Sequence, residues 1–302
     1  MATDGDEKRL LDWIGRWPLL TAPQLAGLAG IPEVAVERRI ERLLGLSVVR
    51  ADGHAAPGET PEARLLLAPP GLRLLARREG VPPARYARFA GVSAPGEGPP
   101  SGTVRHRSHL LGVNRVMARL AADARAAGGR LAACRNEAQS ARRFRHDGRA
   151  AWIRPDGSGV LALPGGLVPF LLEYDRGTLD SGDFAAKFGG YGRYYAARAW
   201  RRDWSAEPVL LFVCADDRAE QRVGRAVWRG GPRCDVRVPL LLTSEWRFAE
   251  RRPVPAGLLG PVWWSPSARA DDPEHRTALV LRSRGPGRSH DNDLSEGRHA
   301  HD

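Results

Sequence analysis

The stretch Arg154–Thr178, RPDGSGVLALPGGLVPFLLEYDRGT, decides the fold of the larger half of this chain. Two apolar runs, SGVLAL and LVPFLLEYD, flank a PGG triplet, the pattern of two strands joined by a tight turn. Placing the turn at Pro164–Gly166 pairs Leu163 with Leu167 and sets Asp156 opposite Tyr174, to within one residue either way. Side chains alternate along a strand, so Glu173 and Asp175 share one face, while Phe170, Leu172 and Tyr174 turn into a core on the other. Asp156, Glu173 and Asp175 are then expected at one end of the hairpin. Gathered carboxylates repel unless a proton or cation relieves them, and a Mg²⁺ site of hard oxygen ligands is one resolution. Another stays open: Asp156-Gly157 is also an ordinary turn signal, and Glu173 can pair with an arginine such as Arg176.

Around this hairpin the patterns alternate. RHRSHLLGVNRVMARLAADARAAGG reads as a helix with Leu110, Val113, Met117, Leu120 and Ala121 on one face. RLAACRNEAQ and RAAWIRPDG read as strands. SGDFAAKFGGYGRYYAARAW reads as a helix weakened by Gly189, Gly190 and Gly192. PVLLFVCAD and VRVPLLLTSE read as buried strands separated by the helix DRAEQRVGRAVWRG. This alternation of helices and strands predicts an α/β sandwich around a mixed sheet, spanning about 103–250.

The N-terminal part, 6–79, has a different order. DEKRLLDWIGRW, TAPQLAGLAG and IPEVAVERRIERLLG read as three helices, the second with Thr21 as N-cap and Pro23 in its first turn. SVVR and ARLLLAPPG follow as short strands around a polar segment at 51–62, and then GLRLLARREG as a helix. Three helices and a hairpin are the order of a winged helix-turn-helix, whose third helix lies in the DNA major groove. Its exposed face carries Arg38, Arg39 and Arg42, interleaved with Glu33, Glu37 and Glu41, so a solvated charged face is the alternative to DNA contact. The whole chain is therefore α+β, a helical DNA-binding unit followed by an α/β unit.

Residues 80–102 are rich in Pro and Gly and read as a linker. Residues 251–302 read as a C-terminal extension, mostly disordered after 266, with Trp263 and Trp264 as an exposed surface suited to a homodimer.

Composition narrows the partners. A net charge of +11 and a sequence pI of about 10.6 favour a polyanion, DNA before RNA or a membrane. Lys8 and Lys187 are the only lysines among 46 basic residues. Abundant Arg, Ala, Gly and Pro fit GC-rich coding, so part of the charge is compositional, and a protein-interaction module is a further reading. Three separated cysteines exclude a CxxC zinc site and a disulfide framework. No signal-peptide core and no long apolar run is present, so a cytoplasmic protein without a membrane span is expected.

RPDG…FLLEYDRGT…KFGGYGRYY, together with HRSHLLGVNRV and VLLFVCADDRAEQRV, resembles the replication-relaxation family of actinobacterial and mobile-element proteins, over about residues 6–245. That family is similar to the PD-(D/E)xK nucleases with a winged helix in front. The resemblance implies a restriction-endonuclease-like domain in which Asp156 and Glu173 hold Mg²⁺ and a lysine two residues on helps activate water. Asp175 occupies that lysine position. It implies either a further metal ligand or a lysine moved elsewhere, for which Lys187 is the candidate. Tyr191, Tyr194 and Tyr195 have helical packing spacing, and His106 and His109 make only a pair, so a tyrosine nucleophile of the relaxase type is not expected. The resemblance implies a DNA-binding protein of plasmid or mobile-element replication or transfer, acting with a replication or relaxase protein. Its second domain is then a Mg²⁺-dependent nickase or a degenerate, non-catalytic relic.

Overall fold

A computed structural model describes residues 5–52, 63–90, 103–177, 181–229, 238–249, 255–266 and 276–279. Helices α1 (Gly5–Arg16), α2 (Ala22–Ala29) and α3 (Glu33–Gly45) are followed by strands β1 (Val49–Asp52) and β2 (Arg64–Leu67), paired antiparallel, and by α4 (Pro69–Arg78). This is the element order from which the winged helix was read. Most of the expected wing, 53–62, lies outside the described residues. Thr21 caps α2 through a reciprocal box with Gln24, and Gly30 ends it at φ 67°, a conformation that suits glycine.

The stretch expected as a linker contains a further helix, α5 (Pro83–Ala90), whose Tyr86 and Ala87 are buried against the N-terminal core. The Pro pair sits where prolines are tolerated, at the helix start. Residues 91–102 lie outside the described residues.

The second unit opens with α6 (Thr103–Ala126), β3 (Arg130–Asn136), the short α7 (Glu137–Ser140), and the hairpin β4 (Arg142–His146) and β5 (Arg149–Ile153). The quoted hairpin follows as β6 (Gly157–Leu163) and β7 (Gly166–Asp175). Then come α8 (Ser181–Ala196), β8 (Val209–Cys214), α9 (Asp217–Arg229) and β9 (Leu240–Ser244). The main sheet has the order β3-β6-β7-β8-β9, antiparallel on the β3-β6-β7 side and parallel from β7 to β9. It is the expected mixed sheet. One strand read as part of it, β5, instead pairs with β4 in a separate small sheet.

The turn of the β6–β7 hairpin is one residue tighter than expected. Leu163 pairs with Gly166, which sits at φ 126°, leaving Pro164 and Gly165 as the loop. Gly157 pairs with Leu172, so Asp156 is brought beside Glu173 rather than opposite Tyr174. Every residue of β7 from Val168 to Asp175 is buried, because helices cover both sheet faces. Phe170, Leu172 and Tyr174 join the core under α6, as alternation predicts, and Leu171 joins the opposite core under α8 and α9.

The α6-side core runs without a break into the N-terminal unit: Leu10, Leu25 and Leu43 belong to the same apolar cluster as Val116, Leu120 and Phe170. Buried Asn114 donates to the carbonyl of Pro18 at 2.9 Å and Asn136 to that of Arg16 at 3.0 Å, so polar contacts fix the same seam.

The C-terminal extension is corrected at its tryptophans, while the segment expected to be disordered lies outside the described residues except for 276–279. Trp263 is fully buried and Trp264 nearly so, and neither offers a dimer surface. The Trp263 indole donates to the Leu258 carbonyl at 2.6 Å, and Trp264 exchanges backbone hydrogen bonds with Leu242 of β9. Past 266, Thr277 bridges Trp263, and Arg276 pairs with the buried Glu220. An unperiodic, Pro-rich sequence conceals a segment that seals the edge of the sheet.

Candidate active site

The site forms where β6 begins and β7 ends. Asp156 stands just before β6 and its carboxylate is held twice. The Tyr174 backbone N–H donates to Oδ2 at 2.8 Å, and His109 of α6 meets Oδ1 through Nε2 at 3.0 Å. Burial pushes this carboxyl up, but the His109 contact, the nearby Lys187 charge and the Tyr174 amide together hold it below its ordinary range. Gly112 lets α6 come this close. A Cβ there would lie 2.1 Å from the Tyr174 ring, one helical turn from His109.

Glu173 is fully buried. Its Oε1 accepts from the Tyr191 hydroxyl at 2.5 Å, and its Oε2 meets the Lys187 ammonium. Lys187 and Tyr191 are four residues apart on α8, so one helical face delivers both to one carboxyl group. Burial, reinforced by the charge of Asp156, pushes Glu173 up to about 8 in spite of Lys187. Desolvation works against the charge on Lys187, but Glu173 and Asp156 outweigh it and raise its pKa, so the amine is a cation. Burial and then the Glu173 charge raise the Tyr191 phenol well above its usual value, which makes it a neutral donor and not a nucleophile.

Asp175 does not join this group. Its Oδ1 accepts from the Gly177 backbone N–H at 2.9 Å as the chain turns away from the strand. Its Oδ2 is buried without a hydrogen-bond partner, and it bears on Lys187 only through its charge. Among the described residues, no set of three or more His, Cys, Asp and Glu side chains is gathered so as to hold a metal ion.

Asp156, Glu173, Lys187 and Tyr191 line a cleft of about 1230 Å³, bounded on its outer side by Trp152 and Arg193. Tyr194 and Tyr195 are buried in the core under α8, as their spacing predicts. His109, read from sequence only as half of a histidine pair, is brought against Asp156 by the fold, and the side chain of His106 lies outside the described residues.

On α3 the three arginines separate. Arg38 is exposed and makes no ion pair among the described residues. Arg39 pairs with Asp6 at 2.8 Å, and Arg42 with the fully buried Glu7 at 2.8 Å, tying α3 to α1.

The model of one family, replication-relaxation, matches residues 11–210. The chain belongs to the replication-relaxation family. The matched span of this replication-relaxation protein runs from α1 into β8 and takes in Asp156, Glu173 and Lys187, and the family ties the protein to replication. None of the curated proteins matches it significantly. Among the described residues of this replication-relaxation protein, no helix is long and apolar enough to cross a membrane.

Proposed function

We propose that the protein binds DNA during plasmid or mobile-element replication or transfer, alongside a replication or relaxase protein, and hydrolyses a phosphodiester at the Asp156–Glu173–Lys187 cleft with Mg²⁺. The observation that carries this reading is Glu173. It is a fully buried carboxyl group whose ionisation is opposed by burial and by Asp156, at the floor of an open cleft. The donors are hard carboxylate oxygens that suit Mg²⁺. Asp156 and Glu173 would hold the ion, which supplies charge to the phosphate and lowers the pKa of a bound water. His109 and the Tyr174 amide fix the Asp156 oxygens. Lys187, a cation, is suited to neutralise charge on the phosphate rather than to accept a proton. Exposed Arg38 on α3 is the duplex contact this reading favours, while Arg39 and Arg42 hold the helix in place.

Supercoiled plasmid incubated with the protein and Mg²⁺ tests the reading. Nicking by wild type that is lost in Asp156→Ala and Glu173→Ala is expected, and nicking no greater than in those variants would reject it.

A second reading has its own support. The Lys187 ammonium already occupies one oxygen of Glu173, and no third ligand stands beside it among the described residues. A DNA-binding accessory factor with an inactive nuclease-like domain accounts for that, and it predicts DNA binding unaffected by Mg²⁺.

A further inference from the structure

We infer that the β4–β5 hairpin equips the cleft to take an unpaired DNA strand, with Trp152 as the surface on which a nucleobase stacks. This rests on reading the cleft as the phosphodiester site. Trp152 is 66% exposed, more than any other large apolar side chain described, and it lines the same cleft as Asp156 and Glu173. No ring or cation among the described residues covers its indole. The hairpin beneath it is anchored. Phe144 and Ile153 are buried in the core under α8, and the Phe144 ring meets Tyr194 edge-on at 5.5 Å.

The charge around Trp152 completes the argument. The segment RRFRHDGRAAWIR, 142–154, has five arginines and one acid. Arg142 is committed to Asp203 and Arg154 to Glu137. Arg143, directly across the hairpin from Trp152, is exposed, as are Arg145 and Arg149. Exposed Arg193 lines the cleft from α8. None of these four makes an ion pair among the described residues. The cleft thus has Asp156 and Glu173 among its lining, the unpaired Arg149 and Arg193 beside Trp152, and Arg143 and Arg145 on the exposed hairpin next to it, with Arg154 paired to Glu137 and Asp147 as the other acid at its edge. The unpaired arginines suit the phosphates of a strand passing through the cleft, and an indole gains from a base only when that base is unstacked. In a duplex the base faces are hidden, so the platform discriminates for single-stranded DNA.

The test measures anisotropy of a fluorescein-labelled oligo-dT and of a duplex of equal length, with the full chain, in EDTA at low ionic strength. Trp152→Ala should weaken oligo-dT binding roughly tenfold and leave duplex binding unchanged, while Trp152→Phe, which keeps a ring, should retain most of the affinity. Unchanged oligo-dT binding in Trp152→Ala, or equal loss on both probes, would overturn the inference. So would dissociation of an oligomer in sedimentation velocity on Trp152→Ala, which would assign the indole to contact between copies. Because binding is read without Mg²⁺, failure of wild type to nick plasmid would count against the cleavage reading alone. A Trp152→Ala variant that nicks normally and binds oligo-dT as wild type does would count against the stacking alone.

Discussion

Replacing Glu173 by Gln in metal-free buffer should stabilise the protein relative to wild type by a margin that grows with pH. Glu173 is pushed from an ordinary 4.5 up to about 8 in the folded chain, first by burial and then by Asp156. Below about pH 4.5 both folded and unfolded chains hold this proton, and the group has no effect on stability. Between the two values the unfolded chain releases it while the folded chain retains it. The folded state then binds more protons, so stability falls as pH rises, by about 1.4 kcal/mol per pH unit. From pH 5 to pH 7 the margin in favour of Glu173→Gln should therefore widen by up to about 3 kcal/mol, and it should level off above pH 8. Gln can still accept from Tyr191. Lys187 loses a partner but is charged throughout this window, so that loss is the same at every pH and the slope isolates Glu173. Urea denaturation followed by far-UV circular dichroism, with EDTA, at steps from pH 5 to 8 measures it. A margin that is flat with pH, or that shrinks as pH rises, would refute the account of Glu173 as a carboxyl group short of positive charge.

Three further outcomes are expected. Trp263→Ala should cost about 3–5 kcal/mol in the same denaturation assay, because the indole is fully buried and hydrogen-bonded, whereas an exposed tryptophan would cost almost nothing. Gly112→Ala should destabilise by about 1–3 kcal/mol, since its methyl would collide with the Tyr174 ring, and should weaken plasmid nicking by displacing the groups that hold Asp156. Arg38→Ala should weaken duplex binding and lower its salt dependence by about one counterion, whereas Arg42→Ala should act mainly on stability, by about 1–3 kcal/mol, because it removes an ion partner from buried Glu7.

What could be read in advance followed periodicity. The alternation in LVPFLLEYD gave the two faces of β7 correctly, and the one-residue shift of the hairpin, within the allowed register, arose because PGG can close as a three-residue or a two-residue loop. The glycines of α8 were legible only as a weakness. Gly190 in fact faces the β4–β5 hairpin, where an added Cβ would meet the Trp152 carbonyl at 3.7 Å, an ordinary contact distance that the packing does not forbid. The packing of Trp263 depends on contacts with β9 and Leu258, distant or unperiodic in sequence, and no local pattern announces it. His109 carried a usable signal. It lies in line with Gly112, Val113 and Val116, on the apolar face of α6, where a histidine needs a polar partner. Which strand end supplies that partner is a property of the sheet and not of the helix.

Asp175 and Lys187 together show why the residue two positions after Glu173 is a poor guide to this site. Alternation puts Asp175 on the correct face, but β7 ends there and the bond to the Gly177 amide draws the carboxylate into the turn. The cation arrives from α8, whose helical repeat places Lys187 and Tyr191 on the two oxygens of Glu173. The two functional readings then differ in what that ammonium is for, and Lys187→Met separates them. Without its ammonium, Glu173 and Asp156 face each other with no intervening charge, so Mg²⁺ should bind more tightly in isothermal titration and raise the melting temperature more than in wild type. Metal-free protein should lose about 1–3 kcal/mol of stability, a moderate figure because Lys187 is partly exposed and Glu173 already holds its proton below about pH 8. If the cleft cleaves DNA, nicking should fall sharply although the metal is held better, because the phosphate has lost its cation. If the ammonium is instead a permanent substitute for metal in an inactive domain, Lys187→Met should leave DNA binding as it was, and no variant of the cleft should nick. Tighter Mg²⁺ binding accompanied by undiminished nicking would contradict both assignments of Lys187.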